Sequence, residues 1–181
     1  KPGQIVLVTG TLGGSIHGKH LTFTPRVKEA EWLVSHHRPA AMMDLSDGLA
    51  KDLPRMAAAS GCGFELDLEA LPLTPGCTVS QALGDGEDFE LLFSMETARV
   101  PGLLTAWTAR FPELPLTVIG KLVESGSGGA QSRMPLPYRA GRHPPRGTDA
   151  SAQRCQPQPE PTAQPGCRHH PGGRRRRNEP H

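Results

Sequence analysis

Ala40-Ala41-Met42-Met43-Asp44-Leu45-Ser46-Asp47-Gly48-Leu49-Ala50-Lys51-Asp52-Leu53 (AAMMDLSDGLAKDL) sets three carboxylates within nine positions, directly after a short apolar run. Ala41 to Leu45 reads as a buried strand, and Leu49, Leu53, Met56 and Ala57 recur at i, i+4, i+7 and i+8, the rhythm of a helix. Asp44 then stands at the carboxyl end of a strand, while Ser46, Asp47 and Gly48 occupy the helix entrance. Free backbone N–H groups and the positive end of the helix dipole lie there, and phosphate is attracted to such an entrance. Neighbouring carboxylates repel one another and repel phosphate unless a cation intervenes. Mg²⁺ is commonly held by one or two carboxylates together with phosphate oxygens. Asp44 and Asp47 are therefore candidate metal ligands. Plain capping of the helix by Ser46 or Asp47 accounts for those two residues equally well.

Outward from this stretch, strands and helices alternate. Gln4 to Thr9 (QIVLVT) and Phe64 to Leu68 (FELDL) read as strands, as do Glu90 to Met95 and Leu116 to Leu122; Val27 to Val34 and Leu103 to Phe111 carry helical periodicity. Pro54 interrupts the helix after Asp47, and predicts a kink or a start later than the cap implies. The class is α/β or α+β, a single mixed sheet with packed helices.

Composition divides the 181 residues in two. Residues 1–124 hold 10 Lys/Arg against 15 Asp/Glu and residues 125–181 hold 10 against 3, so the net charge of +2 conceals an acidic body and a basic tail. From Ser125 the chain is rich in Gly, Pro, Gln and Arg with little to bury, and is expected to be disordered. The tail ends in Arg174 to Arg177 with no interleaved aromatic for base stacking, so nucleic-acid binding is not expected. Cys62, Cys77, Cys155 and Cys167 form no Cys-x-x-Cys pair, which argues against a zinc ribbon or a disulfide framework and fits a reducing cytoplasm. No apolar run approaches the about 18 residues of a membrane span, so no membrane partner is expected.

A second acidic cluster, Gly84-Asp85-Gly86-Glu87-Asp88-Phe89-Glu90, lies on a Gly-rich turn immediately before a strand. Acids on a loop held by a rigid sheet suit binding, while Asp85 and Gly86 also suit an ordinary solvated turn. Gly13-Gly14-Ser15-Ile16-His17-Gly18-Lys19-His20 nearly fits the phosphate-loop pattern, which makes a phosphate-loop nucleotidase one alternative, although His20 stands where that pattern needs Ser or Thr.

Five motifs in order resemble the carboxyl-terminal half of thiamine-monophosphate kinases, in the superfamily related to aminoimidazole ribonucleotide synthetase. They are Val8-Thr9-Gly10-Thr11-Leu12-Gly13-Gly14-Ser15, Pro25-Arg26-Val27, Asp44 to Leu53, Ala59-Ser60-Gly61-Cys62-Gly63, and Ala82 to Phe93; the likeness extends through Val118-Ile119-Gly120. The resemblance implies two α/β domains with nucleotide bound between them, of which this chain is similar to the second. An amino-terminal domain or a homodimer partner would then supply the other ligands, and the chain alone would carry half a site. By position, the resemblance implies Asp44 and Asp47 as Mg²⁺ ligands, Ser46 as a contact to ATP and Glu87 as a contact to thiamine monophosphate. The reaction implied moves the γ-phosphoryl group of ATP onto the phosphate of thiamine monophosphate, giving thiamine diphosphate. That acceptor oxygen is already anionic, so no catalytic base is assigned, and His17, His20, His36 and His37 read as surface residues. Asp85 departs from the family pattern, which has Gly there, and is expected to narrow the backbone's freedom beside Glu87. The family's closing aromatic segment has no match, and Tyr138 is not assigned its role. The remaining alternative is a noncatalytic nucleotide- or metal-binding module with a basic tail.

Overall fold

Strand β1 (Ile5–Thr9) is the middle of the structure, and all five of its residues are buried. Its side chains alternate between two cores. Ile5 and Leu7 pack with Leu33, Val100, Leu103 and Trp107, while Val6 and Val8 pack with Leu49, Leu53, Met56 and Ala82. A strand covered on both faces is apolar at every position, which is why QIVLVT shows no polar alternation. The computed structural model describes residues 1–131. Tyr138, Cys155, Cys167, Arg174 to Arg177 and most of the expected tail lie outside the described residues.

Around β1 are β2 (Ala41–Asp44), β3 (Cys62–Asp67), β4 (Leu91–Met95), β5 (Leu116–Glu124) and β6 (Gly128–Gln131), in one sheet of order β2-β4-β1-β5-β3-β6. The first five in that order pair antiparallel, and β6 joins β3 in parallel, so the sheet is mixed. β6 falls past residue 124, within the stretch expected to begin the tail. Helices α1 (Val27–His36) and α4 (Val100–Arg110) cover one face; α2 (Leu49–Ala59) and α3 (Val79–Gly84) cover the other.

Neither Ser46 nor Asp47 caps α2. Its N-cap is Gly48 at φ 97°, with no side-chain cap bond. Carboxylate Asp52, from the first turn, reaches back instead and accepts the N–H groups of Ser46 (3.1 Å) and Asp47 (2.9 Å). Pro54 lies inside α2, at a cost of about 3 kcal/mol. Leu49, Leu53 and Met56 each bury a side chain, a gain of about 2 kcal/mol apiece, and so hold the helix against that cost. Helix α3 opens on a capping box between Thr78 and Gln81.

Candidate functional site

Three loops meet at one end of the sheet: residues 10–18 after β1, 44–48 after β2, and 85–90 before β4. The last two are joined by backbone bonds that continue the β2–β4 ladder: Leu45 N–H to Glu90 O, Phe89 N–H to Leu45 O, and Glu87 N–H to Ser46 O, each 2.9 Å. Asp44, Ser46, Asp47 and Glu87, which lie 43 positions apart at the extremes (87 − 44), therefore share one rim. The side chains of Asp44, Asp47 and Glu87 are exposed, and Ser46 is half-buried. Gly48 and Gly86, at φ 97° and 70°, let the loops touch: a Cβ on Gly48 would lie 2.9 Å from Leu83 O, and one on Gly86 would lie 3.1 Å from Ser46 O.

The other acids of the same motifs turn inward. Glu90 accepts a two-pronged bond from Arg26 (Nε to Oε2 2.8 Å, Nη2 to Oε1 2.7 Å) and the Thr9 hydroxyl at 2.7 Å, beneath Gly10. Arg26 is the N-cap residue of α1, so this pair ties that helix to the floor of the site. Asp88 accepts Gly13 N–H at 3.0 Å and Lys19 Nζ at 2.8 Å. Burial pushes the Asp88 carboxyl up from the ordinary aspartate range, and Lys19 and the Gly13 N–H pull it back only in part. Phe89 stacks on Phe23, ring centres 4.3 Å apart.

These contacts overturn the phosphate-loop alternative. A phosphate loop needs its N–H groups and its lysine free for phosphate, but Gly13 and Gly14 donate to Asp88 and Asp85, and Lys19 is held by Asp88 and the Thr11 carbonyl. The stretch itself holds two short 3-10 turns, Ser15–His17 and Lys19–Leu21, and no α-helix opens at Lys19 as the phosphate-loop pattern requires. Asp85 brings no backbone strain either. Its φ of −62° is ordinary for any residue, and its carboxylate accepts Gly14 N–H at 2.9 Å. In this loop the non-glycine residues held at positive φ are Glu87 and Phe89, both 50°.

Asp44 forms no hydrogen bond or ion pair among the described residues, while Asp47 is paired with Arg55 from the second turn of α2. The Arg55 guanidinium holds the Asp47 carboxyl below the usual aspartate range. Among the described residues no three His, Cys, Asp or Glu side chains are arranged to hold a metal ion. Two hard carboxylate donors are nonetheless what Mg²⁺ takes from a protein when phosphates and water complete its shell, and a cation already stands on Asp47 in the form of Arg55. Asp44 and Asp47 thus offer donor types that suit Mg²⁺, one of them neutralised by Arg55.

Residues 1–133 match the family described as AIR synthase related protein, C-terminal domain. The chain belongs to this family. A thiamine-monophosphate kinase of Rhodopirellula baltica is 40% identical over 134 residues, 67% of this chain and 40% of that protein. The crystal structure of the Aquifex aeolicus thiamine monophosphate kinase superposes with a TM-score of 0.58 at 30% identity, covering 72% of this chain and 50% of that one. A structure of AaThiL complexed with AMPPCP and TMP superposes at 0.52, with 27% identity over 77% of this chain and 50% of that one. The chain thus spans about half the length, or less, of the relatives it matches. As a C-terminal domain of the AIR synthase related family, it carries the mixed sheet and packed helices expected from its sequence. No helix among the described residues is long and apolar enough to cross a membrane.

Proposed function

We propose that this chain supplies the carboxyl-terminal half of an ATP- and Mg²⁺-dependent thiamine-monophosphate kinase, working in the cytoplasm. Asp44 and Asp47 would hold Mg²⁺, Ser46 would contact ATP, and Glu87 would contact thiamine monophosphate. The observation that carries this reading is the trio of backbone bonds uniting the Asp44–Gly48 and Asp85–Glu90 loops, which keeps those four residues on one exposed rim. Bound there, Mg²⁺ would neutralise phosphate charge during transfer. The chain's own part is to present the rim in a fixed shape. Asp52 pins the Ser46 and Asp47 backbones, and Glu90 with Arg26 fixes the floor. The acceptor phosphate oxygen is already anionic, so a rim without a base suffices.

Half of a site needs its complement. The large apolar side chains left exposed among the described residues, Ile16, Leu21, Phe23, Val27 and Val34, all fall between β1 and β2, and Phe23 stacks on Phe89 in the loop that carries Glu87. Exposed apolar side chains in that segment, with Phe23 set against the acidic loop, suit an amino-terminal domain like that of the relatives, or a partner copy, closing over the site. The noncatalytic alternative then describes the chain by itself. A fusion placing the amino-terminal half of a relative such as the Rhodopirellula baltica kinase before Lys1 should form thiamine diphosphate from ATP and thiamine monophosphate, and the 181-residue chain alone should not. A folded fusion that binds ATP yet forms no thiamine diphosphate would contradict the assignment.

A further inference from the structure

Arg55 is an exposed residue of α2 whose guanidinium Nη1 reaches back along the helix to the Asp47 carboxylate, and the same Nη1 lies 3.2 Å from Asp52 Oδ1. Asp52 is fully buried, and its second oxygen is committed to the Ser46 and Asp47 N–H groups, so it is fixed in place. Asp47 and Arg55 differ from it in being free to part. Their side chains are 51% and 58% exposed, and the bond from the same Nη1 to buried Asp52 gives Arg55 a carboxylate to keep when it leaves Asp47. The cation nearest the proposed metal ligand is therefore one the protein carries itself.

We propose that Arg55 is a built-in counter-cation that occupies Asp47 until a divalent ion displaces it, and so sets the metal concentration at which the loop becomes loaded. The inference rests on the reading of Asp47 as a metal ligand. A guanidinium and a divalent ion drawn to one carboxylate repel each other even in water, so each weakens the hold of the other. Loading therefore favours an Arg55 turned away from Asp47, a motion that its long, exposed side chain allows. Lys51, one turn earlier and also exposed, bears on Asp47 only through space. It provides a control for the general effect of removing a positive charge.

The test titrates Mn²⁺, a divalent ion that also takes oxygen ligands, into the 181-residue chain and follows the loss of the free-ion electron paramagnetic signal. Arg55→Gln should bind Mn²⁺ about fivefold more tightly than the parent, the size of a single charge effect at an exposed site. Arg55→Lys should stay near the parent, Lys51→Gln should gain less than twofold, and Asp47→Asn with Arg55→Gln should lose the gain, as a coupled pair requires. If Mn²⁺ binds the parent through Asp47 and Arg55→Gln gains no more than Lys51→Gln, the counter-cation role is wrong while the metal-ligand reading stands. If no variant shows binding that depends on Asp47, the inference falls, while the metal-ligand reading is decided separately by the Mg²⁺ dependence of the fused kinase. Far-ultraviolet circular dichroism identifies the folded variants to compare, and Arg55→Met serves as a second neutral variant that keeps the aliphatic stem.

Discussion

Asp52, Asp88 and Glu90 are almost wholly inside the protein, whereas Asp44, Asp47 and Glu87, interleaved with them in the same two motifs, look outward. The inward set is fully partnered: Asp52 by two backbone N–H groups and Arg55, Asp88 by Gly13 N–H and Lys19, Glu90 by Arg26 and Thr9. A carboxylate can remain charged in a protein interior only with such partners, since losing its hydration costs several kcal/mol. The outward set keeps its water and stays available to a ligand. Acid-rich motifs of this kind thus do two jobs, and burial tells them apart: Asp52, Asp88 and Glu90, with half-buried Asp85, hold three loops in register, and Asp44, Asp47 and Glu87 are exposed.

The largest expected effect breaks an inward pair. Glu90→Ala leaves Arg26 without its two-pronged partner and Thr9 without its acceptor, and should lower unfolding stability by about 3 kcal/mol, or abolish the fold. The urea midpoint reads this directly. A loss below about 1 kcal/mol would mean that the inward acids do not hold the site.

A smaller effect sharpens the comparison through pH. The Asp88 carboxyl is raised above its unfolded value, so its contribution to stability is fully present below the ordinary aspartate range and is lost as pH rises through the raised value. Asp47 has the opposite sign. Arg55 depresses its carboxyl, so the contribution is present above the ordinary range and is lost as pH falls through the lowered value. As pH rises above the ordinary aspartate range, the parent should therefore lose stability relative to Asp88→Asn, whereas its margin over Asp47→Asn should stay flat. Equal slopes for the two variants in urea melts would erase the distinction.

Much of the fold was legible because its elements obey simple periods. β1 to β5 are short apolar runs, and α1, α2 and α4 repeat at three and four residues. Helix α3 escaped notice because six residues offer too little periodicity, although Thr78-x-x-Gln81 marks its start. The strand order is set by contacts far apart in sequence, and Gly128–Gln131 has no strand-like pattern, so neither order nor β6 was readable. In the site, the clusters were legible and the direction of each side chain was not. Asp52 reads as one more polar residue on a helix, yet it replaces the cap that Ser46 and Asp47 were expected to provide. Asp88 and Glu90 share one parity while Glu87 takes the other, a period-two signal running into β4 that separates the inward pair from the outward residue.

The smallest expected change in stability carries the sharpest functional consequence. Asp44→Asn removes the charge of an exposed side chain with no partner among the described residues, and should shift stability by less than about 0.5 kcal/mol. The deciding measurement is the rate of thiamine diphosphate formation by the fused kinase carrying Asp44→Asn, taken across a Mg²⁺ titration with the unfolding midpoint recorded on the same protein. The account predicts an unchanged midpoint with a rate that falls at least tenfold at limiting Mg²⁺ and partly recovers at high Mg²⁺, because a lost ligand weakens metal binding that mass action restores, with about 1.4 kcal/mol giving each factor of ten. An unchanged midpoint with a normal rate at limiting Mg²⁺ would contradict the claim that the outward acids form the site.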